Sequence, residues 1–145
     1  MKMKLHRVHL PLEHPFTIFR GTMTTQSSLY LELEHNGISG FGEVTENSYY
    51  GHTFDSISSS LEKAVPHLDE YVDGNPIELW EKMQTILQGD MFALSALDIA
   101  AHDFRGKRLG IPTWQDWGLE WNDVVPSSYT IGIDSIEKMV QKLNE

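Results

Sequence analysis

Apolar and polar residues alternate over "SLYLELEHNGISGFGEV". Leu29, Leu31 and Leu33 fall on one face, and Tyr30, Glu32 and Glu34 on the other, as in a half-buried strand. Asn36-Gly37 then supplies the pair of positive φ angles favoured in a tight hairpin turn, and a return strand runs over residues 38–44. Upstream, "KLHRVHLPLEHPF" is rich in strand formers, and Pro11 and Pro15 suit an edge strand with an irregular end. The expectation is an antiparallel sheet of about three strands. "FTIFRGTMTTQSS" reads as a long polar loop between the first two of them.

The period changes after residue 50. Ile57, Leu61, Ala64, Val65 and Leu68 share one face of a helix over residues 55 to about 71, with a break expected at Pro66. Asn75, Pro76 and Glu78 make a strong helix start, and Gly89 a stop. "DMFALSALDIAAHDFRGKRLG" predicts the longest helix. Asp90 is its N-cap and Gly110 its end, and Ala93, Ala96, Leu97, Ala100, Ala101 and Phe104 form a wide apolar face. A short turn begins at Pro112. The chain then runs through "SSYTIGI", a strand pattern, into "DSIEKMVQKLNE", a helix pattern. A strand needs a neighbour, so this last unit raises the question of its partner.

Composition narrows the function classes. The chain has 145 residues and is 40 % hydrophobic, which suits a globular domain with a real core. Its formal charge of −10 argues against nucleic acid and anionic membrane as partners. The absence of cysteine excludes disulfides, Cys-ligated zinc and thiol catalysis. "MKMKLHRVHLPLEHPF" has no apolar run of signal-peptide kind, and no stretch approaches the ~20 apolar residues that span a bilayer. The expectation is a cytoplasmic protein.

Candidate chemistry is sparse. Arg20 in the first polar loop is either a solvated cation or an anion-binding side chain. Tyr49, Tyr50, Gly51 and His52 lie in a second loop, where Tyr and His suit ligand contact or a small packed cluster. His52 has no second ligand at metal spacing. Asp98 and His102 stand four apart on a helix, a spacing better explained by a hydrogen-bonded pair than by a metal. Glu43 and Glu46 show no acid/base spacing. Nucleotide-binding, serine-hydrolase and zinc-protease motifs are absent. Residue chemistry alone gives an α+β domain without a catalytic constellation.

The order of elements, with "GFGE", "ALDIAAHDFRGKRLGIP" and "SYTIGID", resembles the N-terminal capping domain of the enolase superfamily. The likeness is to its muconate-lactonizing subgroup, and within it to the dipeptide (L-Ala-D/L-Glu) epimerases, over essentially the whole chain. The resemblance implies a capping domain at 1–125, and at 126–145 the first strand and helix of a truncated (β/α)₈ barrel. Asp134, Ser135, Ile136 and Glu137 would form a capping box on that helix. In such enzymes two lysines exchange an α-proton, and three acidic residues hold Mg²⁺ against an enediolate, all on later barrel strands. Those positions lie beyond Glu145. The expectation is Mg²⁺ in the intact enzyme but no metal, base or acid in this chain.

What the resemblance assigns to this chain is substrate covering. Arg20 matches an arginine that contacts the glutamate carboxylate of the dipeptide. Tyr49, Tyr50 and Gly51 match the second covering loop, with Tyr50 the substrate-facing candidate. Thr130 matches a substrate-facing threonine; alternation puts it with Gly132, opposite Tyr129, Ile131 and Ile133. The implied partners are a small dipeptide and, in the intact enzyme, further copies of the chain. Related o-succinylbenzoate synthases and cycloisomerases, or a free-standing binding module, remain as alternatives.

Overall fold

The computed structural model describes residues 1–144. Three antiparallel strands, β1 (Lys2–Ile18), β2 (Gly21–His35) and β3 (Ile38–Thr45), pair in the order β1-β2-β3. Asn36 and Gly37 have φ of 50° and 79°, and His35 faces Ile38 across the turn. That is the two-residue hairpin expected from Asn-Gly. β2 is the central strand, and Leu29, Leu31 and Leu33 are fully buried on its inner face.

The helices are α1 (Phe54–Glu62), α2 (Pro76–Ile86), α3 (Met91–Leu109), α4 (Thr113–Asp116) and α5 (Ile136–Asn144). Of these, α3 packs on that face, with α1 and α2 against α3, while α4 and α5 bury no residue. The break expected at Pro66 falls in a separate 3-10 helix, Val65–Tyr71. Asn75 and Asp90 cap α2 and α3 as their types predict, accepting from the Ile77 and Ala93 N–H groups. Gly110 ends α3 in the left-handed conformation, at φ 70°. The small residues of α3 let β3 approach closely. An added Cβ on Gly40 would come 2.4 Å from the Ala100 carbonyl oxygen.

Three expectations need correction. The polar stretch around Arg20 is not a loop. β1 and β2 continue as a projecting ribbon, with Phe16 facing Met23 and Ile18 facing Gly21, so that Phe19 and Arg20 form its tip. A register shift between Pro11 and Phe16 sets residues 12–15 of β1 opposite Thr24 alone, which bends the ribbon. Neither face of the tip is buried, so there is no apolar alternation to reveal it as strand.

The segment over residues 127–133 forms no strand, because no strand pairs with it among the described residues. It is held to β1 instead. The Ile133 N–H donates to the Thr17 carbonyl at 2.8 Å, and Gly132 packs on Phe16 and Thr17. Finally, Ser135 rather than Asp134 caps α5. Its hydroxyl accepts from Lys138 N–H at 3.4 Å, and since Lys138 occupies the third helical position no reciprocal capping box forms. Asp134 instead pairs with Lys138 and Lys142.

Candidate functional site

The ribbon tip and the loop after β3 meet. The Arg20 guanidinium carbon lies 3.9 Å from the Tyr49 ring centroid and 5.2 Å from that of Phe19. The first distance is a stacking contact. Among the described residues Arg20 carries no ion pair. The three other arginines each pair with an aspartate: Arg7 with Asp55, Arg105 with Asp116 and Arg108 with Asp73. Arg20 is therefore the arginine whose planar donor fork is open to an external anion.

The second loop is ordered by its own hydrogen bonds. Asn47 and His52 exchange backbone bonds of 2.9 and 3.0 Å, closing residues 48–51 into a turn. The Asn47 side-chain oxygen accepts from the Tyr49 and Tyr50 N–H groups at 3.1 and 3.3 Å. Gly51 takes the positive φ, 75°, that closes it. Tyr49 and Tyr50 pack edge-to-face at 4.9 Å, yet both stay about two-thirds exposed, at 64 % and 65 %. Their rings are available to a ligand.

The loop is anchored to the N-terminus of α3. His52 stacks on Phe92 at 4.1 Å, and its Nδ1 lies 3.6 Å from the Asp90 carboxylate that caps the helix. His52 thus works as a tether. Nothing in the sequence pairs residue 52 with residue 90; only the fold brings them together. Glu46 is likewise structural, accepting from the Phe54 N–H at 2.8 Å to fix the entry to α1.

Thr130 is exposed, on the segment that docks beside Thr17, three residues along β1–β2 from Arg20. Tyr50 faces Phe92 at 6.0 Å between centroids. Arg20 and the tyrosine loop are thus in direct contact, whereas the segment that carries Thr130 meets the ribbon through Gly132 and Ile133, at Phe16 and Thr17.

No three His, Asp or Glu side chains cluster closely enough to hold a metal among the described residues. Asp98 and His102 approach as an i,i+4 charge pair at 3.7 Å, beyond the hydrogen-bond distance expected of them. His102 Nδ1 also accepts from the Trp117 indole N–H at 3.2 Å, a partner the spacing did not reveal. Burial pushes the Asp98 carboxyl up, and the His102 charge partly opposes this. No helix among the described residues is long and apolar enough to cross a membrane.

A family profile described as the mandelate racemase / muconate lactonizing enzyme, N-terminal domain, matches residues 1–118. The chain belongs to that family. This is the N-terminal domain family of the enolase superfamily. An L-Ala-D/L-amino acid epimerase of Flavobacterium johnsoniae is 39 % identical over 145 residues, covering 100 % of this chain and 43 % of the relative. The substrate-liganded L-Ala-D/L-Glu epimerase of Bacillus subtilis superposes with a TM-score of 0.82 at 25 % identity, covering 99 % of this chain and 41 % of that one. A family member from Roseovarius nubinhibens, solved with magnesium, gives 0.79 at 26 % identity, covering 98 % and 39 %. This mandelate racemase / muconate lactonizing enzyme N-terminal domain therefore spans about two-fifths of the length of the relatives it matches.

Proposed function

We propose that this domain is the substrate-covering part of a Mg²⁺-dependent dipeptide epimerase that inverts an α-carbon by proton abstraction through an enediolate. Proton exchange and metal binding belong to residues outside this chain. Its own contribution is recognition. The observation that carries the reading is the open guanidinium of Arg20, set on Tyr49 where the ribbon tip meets the second loop. An exposed arginine with no acidic partner is a ready receptor for a side-chain carboxylate, through two parallel N–H···O bonds.

Tyr50 adds an apolar wall at low entropic cost, since its ring has few rotatable bonds and its loop is already ordered. Thr130 supplies a hydroxyl able to donate to or accept from the peptide group. Closing these elements over a dipeptide excludes water from the reacting carbon, which strengthens the polar contacts inside. The names of the Flavobacterium and Bacillus relatives support a dipeptide as the substrate class.

Solvent exchange tests the reading. The full-length protein, given Mg²⁺ and L-Ala-L-Glu in D₂O, is expected to place a single deuteron on the glutamate α-carbon and to produce the D-epimer. The 145-residue chain alone is expected to exchange nothing. Failure of the full-length protein to exchange any of a panel of acidic and neutral dipeptides would contradict the assignment. So would exchange by the isolated chain.

A further inference from the structure

The Arg20–Tyr49 contact has a consequence for selectivity, which rests on the reading of Arg20 as the carboxylate receptor. Arg20 sits at the tip of a ribbon whose residues 21–25 are all exposed, and within the ribbon the guanidinium meets only the ring of its exposed neighbour Phe19, at 5.2 Å. A free arginine there would sample many rotamers and lose that freedom on binding. Tyr49 removes much of it in advance, because its ring face holds the guanidinium at 3.9 Å. Stacking on a ring leaves the in-plane N–H donors of the fork available.

Tyr49 is in turn fixed to the core. Asn47 accepts its N–H, Tyr50 packs against its ring, and His52 ties the loop to Phe92 and to Asp90 at the start of α3. A continuous set of contacts therefore runs from a core helix to the ribbon tip. We propose that Tyr49 is a positioning residue for substrate selectivity: its ring holds Arg20 pre-aimed, so that the ribbon tip and the 47–52 loop cover an acidic dipeptide as one unit.

A ring–cation contact at an exposed site is expected to change affinity by about two- to fivefold. The readout is the ratio of kcat/KM for an acidic dipeptide, L-Ala-L-Glu, to that for a neutral one, L-Ala-L-Ala, in the full-length protein. Tyr49→Leu should lower this ratio by about two- to fivefold, through KM rather than kcat. Tyr49→Phe keeps the ring face and should preserve the ratio. In an Arg20→Ala background, Tyr49→Leu should change the ratio no further, because its effect passes through Arg20.

A lowered ratio in Arg20→Ala beside an unchanged one in Tyr49→Leu would overturn the role of Tyr49 and leave the carboxylate receptor standing. An unchanged ratio in Arg20→Ala would overturn the receptor itself. Equal losses in Tyr49→Phe and Tyr49→Leu would implicate the hydroxyl and overturn the stacking role. Proton NMR of the 145-residue chain gives a readout free of activity. The Arg20 δ-methylene protons should be shifted upfield by the ring, and most of the shift should be lost in Tyr49→Leu, which leaves only the more distant Phe19 ring, and persist in Tyr49→Phe. Its absence in the wild type would contradict the contact.

Discussion

Gly42 lies so close to Ala96 that a Cβ added to it would come 2.0 Å from the Ala96 carbonyl oxygen. This contact seats α3 directly on β3, and with Gly40 it explains why "GFGE" and an alanine-rich helix occur together. The loop after β3, with Tyr49 and Tyr50, is placed by that seating at one end and by the α3 N-terminus at the other.

Gly42→Ala should accordingly destabilise the domain by about 3 kcal/mol or more, the upper range for overpacking, because the obstacle is backbone and cannot rotate away. Urea unfolding followed by circular dichroism measures it. Gly37→Ala is a useful contrast. Its added Cβ meets nothing within 4 Å, so any cost comes from its φ of 79° alone.

Asp90 links the cap of α3 to the tether of the second loop, through Ala93 N–H at 2.9 Å and His52 at 3.6 Å. Asp90→Ala should cost about 1–2 kcal/mol of stability, as cap removal does. Asp90→Asn, which retains the acceptor, should recover most of it. Equal losses for the two would place the stabilisation in the charge rather than in the cap.

Glu32 sets an acid limit on the sheet. Ser39 Oγ donates to its carboxylate at 2.8 Å, with His6 and Lys4 at 2.9 and 3.3 Å. These bonds, Ser39 first, hold its pKa down to about 2 against an ordinary 4.5. A carboxyl depressed in the folded state contributes stability above its unfolded pKa. That contribution is lost as the pH falls from about 4.5 towards about 2. Glu32→Gln should therefore lower stability at neutral pH and flatten its decline over this acid window. A decline as steep in the variant as in the wild type would assign acid lability elsewhere.

The end of the described chain should be its least protected part. α5 buries no residue, and Ile136, Val140 and Leu143 line one exposed face, at 76 %, 51 % and 72 %. Hydrogen exchange of the isolated chain should find the Ile131 amide far less protected than that of Leu31, which lies in the central strand. The apolar α5 face should also promote concentration-dependent self-association, measurable by sedimentation. Comparable protection of the two amides would contradict the structural account.

The parts of this fold legible in the sequence are those written in local chemistry. Asn36-Gly37, Asn75-Pro76, Asp90 and Gly110 each act on neighbouring residues, and each does what its type predicts. The β2 core was legible because Leu29, Leu31 and Leu33 alternate with polar residues. The ribbon around Arg20 was not, since residues 21–25 are exposed on both faces and leave no apolar alternation to read. "SSYTIGI" carries strand-forming residues, but a strand is a relation between two segments, and here it has no second one among the described residues. At the candidate site, resemblance nominated Arg20, Tyr50 and Thr130. The stacking of Arg20 on Tyr49 and the His52–Asp90 tether join residues 29 and 38 positions apart, beyond the reach of any local pattern.

Arg20→Ala in the full-length protein tests the central claim most directly. A charge-assisted bond of this kind contributes about 1.5–3 kcal/mol, so kcat/KM for L-Ala-L-Glu should fall by roughly ten- to a hundredfold. L-Ala-L-Ala, which has no side-chain carboxylate, should be affected much less. Equal losses for the two dipeptides, or no loss for either, would contradict the assignment of Arg20 as the residue that reads an acidic substrate.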